Sequence, residues 1–480
     1  MKLLRFAPIG AIALGTVLSA TAPSAMAQMP FPATANTPGL SADLSLSPPY
    51  TCVNNYYINS AAPNASDFNP GTLAQPWKTI YAAQGAVDNS ATFGFHRSQA
   101  GDCYNVMPGT YTLDWTIPLS LGGNSNSATG YVVYRSTVPQ GAHIVPSAKF
   151  NASGDIFQLQ AGYFIIDGFD IDGNNAFTNG DGIDGCAAGG QQTFWIAHHF
   201  VAINNLIHNL GGAGLSSCNA DFVIWRNNVV YNNASTSPYQ KSGININGAQ
   251  GLAAGSYTPT AWDTAMSFGI QILYNISHDN LEGPVINWAH TDGNGIIIDT
   301  SYNCSSGPNA CAGQTPYPGQ MLILGNLSYN NGGSGIQVFE SENVTIANNT
   351  CYNNHTDAAN PGTARGELMN AGSANINFVN NVAIAVPGTG ILANNRPAVS
   401  FPISGGYADS GTWTRNITFG ASNVSDATSR VSTSTNLVNV NPKLISPATG
   451  NFGPLPGSPT VRTGMPESYL PSRTPDIGAY

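Results

Sequence analysis

A short phrase recurs along the chain and constrains its fold more than any other feature. It runs FVIWRNNVVYNN from Phe222 to Asn233, then IQILYNISHDN from Ile270 to Asn280. It returns as MLILGNLSYNN from Met321 to Asn331 and as VTIANNTCYNN from Val344 to Asn354, with weaker copies near Phe164, Phe200 and Ile376. Asn205 and Asn228 lie 23 residues apart, as do Asn326 and Asn349, and Asn228 to Asn275 spans 47, about two periods. Each copy alternates apolar and polar residues in short runs broken by Asn or Gly, which is strand-and-turn chemistry without a helical period. A repeat this short cannot bury its apolar face alone, whereas stacked copies can. Asn tolerates the left-handed backbone of tight corners, and stacked Asn side chains can hydrogen-bond in ladders. Three short strands in about 23 residues predict one rung of a right-handed parallel β-helix, an all-β solenoid. The Leu-x-x-Leu-x-Leu frame of leucine-rich repeats is missing, and propeller blades need about twice the period.

A second phrase, a polar residue followed by Gly-Ile or its like, falls between copies of the first. It appears at Asp181–Asp184, Ala213–Ser216, Ser242–Asn245, Asn294–Ile297, Ser334–Gln337, Arg365–Leu368 and Thr389–Leu392. These copies are expected to stack in register as one face of the coil.

The ends differ. Lys2 and Arg5 precede an apolar stretch from Ala7 to Ala20, and Ala25-Met26-Ala27 is a small-x-small site. Residues 1–27 therefore read as a secretory leader, which predicts an extracellular or periplasmic protein. Residues 28–50 read as a Pro/Ser/Thr-rich linker, 51–395 as the β-helix, and 396–480 as an irregular segment packed on it. Trp77, Ile80, Ala83 and Val87 would share one side of a helix over Thr72–Val87, expected to cap the open end of the coil. No apolar run beyond the leader approaches the roughly 18 residues of a membrane span. The net charge of −10, with no basic run, argues against nucleic acid as partner. Seven cysteines in an exported chain suggest disulfides. Cys52 with Cys103, Cys186 with Cys218, and Cys304 with Cys311 are plausible pairs, leaving Cys351 as a buried free thiol.

Further residues carry a resemblance. The segments Tyr56–Asn59, Asn69–Thr72, Pro76–Ile80 and Pro108–Tyr111, together with the Asn-Asn rungs and the terminal Asp476–Ala479, resemble bacterial right-handed β-helix proteins of the pectin-lyase-like superfamily. The resemblance implies the β-helix fold over most of the chain. It is less specific for activity, because the superfamily includes lyases, hydrolases, epimerases and non-enzymatic adhesins.

Chemistry is sought where charge interrupts a chain only 8% charged. After the leader the only lysines are Lys78, Lys149, Lys241 and Lys443, and Lys241 alone falls inside the regular rungs. It can be a surface lysine near a turn, or a base. Asp167, Asp170, Asp172, Asp181 and Asp184 fall within 18 residues. Of these, Asp170, Asp172, Asp181 and Asp184 are the candidate ligands of Ca²⁺, a hard ion that takes oxygen donors; the alternative is Asp at ordinary turn positions. His290 and Asp292 lie in the most polar stretch of any rung. Arg365 and Arg226 suit a substrate carboxylate, which the guanidinium fork matches. Asp299, Glu340 and Glu367 are further substrate-side candidates. Trp195, Trp225, Trp262 and Trp288 could stack on sugar faces, although Trp225 fits a strand core better. No nucleophile elbow, phosphate loop, zinc-protease helix motif or dinucleotide fingerprint is present.

The expected function is a secreted polysaccharide lyase that cleaves an acidic, uronate-containing glycan by β-elimination. Lys241 as base with calcium-binding aspartates resembles the arrangement of family nine β-helix pectate lyases; Arg365, His290 and Asp292 would complete the catalytic set, and Trp288 would contact sugar. Two alternatives stay open: a glycoside hydrolase using two of Asp292, Asp299 and Glu340, and a non-catalytic glycan-binding or cell-surface protein.

Overall fold

A computed structural model describes residues 50–479 except 84–95, 126, 177–178, 187–197, 250–267, 285–288, 302–316, 361–365, 389–391, 393–395, 402–409, 421–429 and 471–473. The leader, Trp195, Trp262, Trp288, Arg365, the Cys304–Cys311 pair and the Gly-Ile copy at Thr389–Ile391 lie outside these residues.

The strands stack in three parallel sheets, visited in turn on each rung. Sheet A has 11 strands, from Asn54–Ile58 to Gly411–Thr414. Sheet B has 11, from Gly109–Leu113 to Leu437–Val438, and sheet C has 9, from Ile117–Leu119 to Val399–Ser400. One rung runs Asp221–Arg226 in A, Val229–Tyr231 in B and Ile244–Asn247 in C, before the next begins at Ile270–Leu273 in A. This is a parallel β-helix, with the right-handed crossover that strand twist favours.

The alternation seen in sequence sets the interior. In sheet C, Phe157, Ile183, Leu215, Ile244, Ile296, Ile336 and Leu368 stack rung on rung, all fully buried. Each such side chain contributes roughly 1.5–3 kcal/mol on burial.

The corners explain the asparagines. Between sheets A and B a left-handed residue (Asn204, Asn227, Tyr274, Gly325, Asn348, Asn380 or Arg415) precedes a buried Asn. The buried members, Asn205, Asn228, Asn275, Asn326, Asn349, Asn381, Asn416 and Asn436, form a continuous ladder. Each amide nitrogen donates to the next side-chain oxygen at 2.8–3.1 Å. A second ladder between sheets B and C links Asn233, Asn280, Asn331 and Asn354, and Asn354 Nδ2 donates to Glu367 Oε2 at 2.6 Å. Backbone amides that each corner would leave without partners are satisfied inside the coil.

Three expectations change. No capping helix forms over the described part of Thr72–Val87. Trp77 instead pairs with Ile58 as an extended bridge, and its N–H donates to Tyr57 O at 2.9 Å. Asp67 Oδ1 accepts the amides of Lys78 and Thr79, so this segment is held extended, and only Ile80–Ala83 makes a 3₁₀ turn. The coil also runs past 395. Val399–Ser400, Gly411–Thr414, Ile417–Phe419 and Leu437–Val438 each join a sheet, leaving Leu444–Ser446 and Asn451–Pro454 as a separate hairpin. Finally, Val399 rather than the Thr389–Leu392 phrase stacks on Leu368. Disulfides join Cys52 to Cys103 and Cys186 to Cys218, and Cys351 is a buried free thiol. No helix among the described residues is long and apolar enough to cross a membrane.

Candidate active site

The leading edge of sheet C has an unusual column. Extending the strand register three residues back from Phe157, Ile183, Leu215, Ile244, Ile296 and Ile336 gives Gly154, Gly180, Gly212, Lys241, Gly293 and Gly333. Backbone bonds from Gly293 N to Lys241 O and from Gly333 N to Gly293 O, both 2.9 Å, confirm the stacking. One lysine thus rises from a strip of glycines.

Lys241 reaches back across one rung to Asp181, with Nζ 2.8 Å from Oδ2. Its side chain is 19% exposed and that of Asp181 only 4%. Asp181 Oδ1 accepts the amide of Ala213 at 2.7 Å, and Asp155 Oδ1 accepts the amide of Asp181 at 2.9 Å. Asp184 Oδ1 accepts the amide of Cys186 at 3.0 Å, so the Cys186–Cys218 disulfide anchors the strand end beside the site. Carboxylate oxygens of Asp155, Asp181 and Asp184 all lie within 4.8 Å of one another. Gly212 makes this possible, because a Cβ there would overlap Asp181 Oδ1 and the carbonyl oxygen of Asn179.

The electrostatics follow. Burial, and then the charge of Asp181, pushes the Asp155 carboxyl up to about 7. Asp184 is raised well above the carboxylate range by burial and by Asp155 and Asp181. Burial opposes the charge on Lys241, but Asp181, Asp184 and Asp155 outweigh it and hold the amine above its ordinary value. Three acids thus face one ammonium, a donor set of oxygens short of positive charge and suited to a hard cation.

On the next rung Asp292 is buried, accepting from Ser242 Oγ at 3.2 Å, and is pushed up to about 6 by burial. Glu282, buried and raised to about 8 by burial and by Asp292, accepts the amide of Asp292 at 2.7 Å. His290 Nε2 lies 2.6 Å from Asp357 Oδ2. Farther along sheet C, burial, Asp292 and Glu340 raise Asp299 to about 8.

The structure therefore brings together Lys241, Asp181 and Asp184, with Asp292 and His290 beside them. Asp170 and Asp172 stand on sheet B instead. Asp170 binds His143 and His208 at 2.9 Å each, and Asp172 Oδ1 accepts from Asn209 at 2.9 Å. Two residues apart on one strand, they share a face, but not that of Lys241. Arg226 is buried on sheet A, opposite Leu273. Glu367 is buried and closes the second asparagine ladder, and Trp225 is core. Sequence reasoning missed Asp155, Glu282 and Asp357. Gly154-Asp155 and Gly180-Asp181 repeat one dipeptide at matching places on adjacent rungs, which was a usable signal; Glu282 and Asp357 lie in loops and offered none.

No protein-family model and no curated protein matches the sequence. Among solved structures, the chain is similar to the pectate lyase Pel9A, with 17% identity over 90% of this chain and 97% of that one and a TM-score of 0.45. It is also similar to the A-module of the mannuronan C-5 epimerase AlgE6 of Azotobacter vinelandii, with 16% identity over 67% and 83% and a TM-score of 0.36. For a rhamnogalacturonan lyase the values are 14% identity over 82% and 91%, and 0.35. At these identities the likeness concerns the path of the chain.

Proposed function

We propose that the chain is a polysaccharide lyase acting on a uronate-containing glycan by β-elimination, with Lys241 as the base. The observation that carries this reading is the single lysine in a strip of glycines, ion-paired to one of three clustered carboxylates. The Lys241 side chain keeps 19% of its surface exposed at this edge, where a sugar chain laid across the rungs would meet it. Rungs repeat every ~4.8 Å, comparable with one pyranose unit.

Elimination begins with removal of the proton at C5 of a uronate, and the C4–O bond then breaks. A cation such as Ca²⁺ held by Asp155, Asp181 and Asp184 would neutralise the uronate carboxylate and so make the C5 proton more acidic. As paired here, Lys241 is an ammonium and cannot accept that proton. Were Asp181 and Asp184 to hold such a cation, Lys241 would lose the pairing that keeps it charged. Burial then favours the neutral amine, the form that works as a base.

The test is ultraviolet absorbance of new double bonds during incubation with polygalacturonate, alginate and glucuronan, with and without chelator. The reading expects a rising signal on at least one glycan, lost on chelation and in Lys241→Ala by a factor of about 10²–10⁴. New reducing ends without double bonds would instead mean hydrolysis, and full activity of Lys241→Ala would remove the base from this site.

A further inference from the structure

The residues on either side of Lys241 both hold the loop that carries His290. Gln240 Nε2 donates to Ala289 O at 2.8 Å and to Thr291 Oγ1 at 2.7 Å, straddling the histidine. Ser242 Oγ donates to Asp292 Oδ2 at 3.2 Å. His290 is thus tied to the base by two short connections, one rung farther along the strip.

Its ring is oriented from behind. Nε2 faces Asp357 Oδ2 at 2.6 Å and Glu282 Oε2 at 3.5 Å. Asp357 is fixed in turn, since its Oδ1 accepts the amide of Ala359 at 2.8 Å. The Glu282 side chain is wholly covered, and its Oε1 has no hydrogen-bond partner among the described residues. Such an arrangement is costly as mere packing. With carboxylates at Nε2, that nitrogen carries its proton toward them, and Nδ1 is the one left for other work. Nδ1 makes no hydrogen bond among the described residues, and 17% of the side chain is exposed. A carboxylate-oriented imidazole with one outward nitrogen is the geometry of a general acid or base.

We propose that His290, positioned by Asp357 and Glu282, is the general acid that protonates the leaving oxygen. The inference rests on the lyase reading and supplies the half of the reaction that Lys241 does not. Lys241 takes the C5 proton, the C5–H electron pair becomes the C4=C5 double bond, and the C4–O pair leaves with the oxygen. The Nδ1 proton of the imidazolium passes to that oxygen, giving the new hydroxyl. Solvent returns a proton to His290 and removes one from Lys241. Asp357 and Glu282 are positioning residues, and Asp292 is a further ionisable group that interacts with the ring.

The experiment compares the wild-type chain, His290→Ala and Asp357→Asn on whichever of polygalacturonate, alginate and glucuronan the wild type cleaves, in D₂O. Loss of the acid should lower unsaturated ends about 10²-fold or more, while Lys241 continues to exchange C5–H for deuterium in uncleaved polymer. Added imidazole should restore cleavage to His290→Ala. Asp357→Asn should lower kcat with KM unchanged. If His290→Ala keeps its kcat, or loses exchange and cleavage equally without rescue by imidazole, the assignment is overturned while the lyase reading stands. A wild type that forms no double bond on any of the three overturns both.

Discussion

Replacing Lys241 with Met removes the one cation paired with the acid cluster among the described residues and keeps much of the packing of its alkyl stem. What remains is Asp155, Asp181 and Asp184 within 4.8 Å, with Asp181 and Asp184 buried. Breaking a buried pair from one side costs roughly 3–5 kcal/mol, because the other charge is left uncompensated. Protonation relieves that cost, so its size depends on pH. Asp155 and Asp184 already bind protons more tightly folded than unfolded, since both are raised above the ordinary carboxylate value. Where the folded state binds more protons, stability falls as pH rises. In the wild type Asp155 contributes this fall between its ordinary value of 3.8 and about 7. Without Lys241 the acids rise further, and the window extends upward. The deficit of Lys241→Met against wild type should therefore be about 3–5 kcal/mol at pH 8. It should shrink toward the roughly 1.5–3 kcal/mol of one lost charged hydrogen bond at pH 5. Urea unfolding in chelator across this range measures it, and added calcium should reduce the deficit at pH 8 by binding the folded state. A deficit that is flat with pH, or larger at pH 5 than at pH 8, would refute the reasoning.

Three further outcomes follow from the geometry. Gly212→Ala places a Cβ against Asp181 Oδ1 and Asn179 O, and should cost about 1–3 kcal/mol and abolish any calcium dependence of activity, read by urea unfolding and chelator titration. Asn275→Ala cuts the main ladder in its middle, stranding the Asn228 amide that donates to it and the Trp225 carbonyl that accepts from it. A loss of about 2–4 kcal/mol is expected from two such buried groups, and a loss below 1 kcal/mol would mean the ladder is ornamental. Cys351 is fully buried with its thiol pushed up by burial, so a thiol reagent should modify it only in denaturant.

How much of this was legible depended on whether a property is local to a rung. The paired asparagines required a corner, and their spacing set the rung, because a left-handed residue followed by a ladder Asn is a local demand. Lys241 stood out because lysine is scarce and this one fell within a rung. Asp170 and Asp172 show the limit. Alternation placed them on one face of a strand, but only inter-strand register says which sheet that strand joins. Glu367 shows another. An acid in a polar phrase looked substrate-facing, whereas its place in register turns it into the coil, where it receives the last amide of a ladder. The expected cap failed for a similar reason. The spacing of Trp77, Ile80 and Ala83 suits a helix, but pairing with Ile58 and the grip of Asp67 hold the chain extended, as tertiary context can.

Buried acids separate into two kinds here, and the difference bears on function. Glu367 accepts from both the amide and the side chain of Asn354, so its carboxyl has a structural task at the end of the ladder. The Asp184 side chain takes a single backbone amide, yet it is buried beside two further carboxylates. Carboxylates crowded together destabilise the fold unless something positive meets them. One lysine cannot balance three acids, and if it did so permanently it could never act as a base. A cation that engages the acids would relieve their mutual repulsion and release the amine in the same event. On that account cation binding, the stability of this edge and the availability of Lys241 are one equilibrium. Calcium titrations of unfolding and of activity on one sample should then share a midpoint, and two well-separated midpoints would break the link.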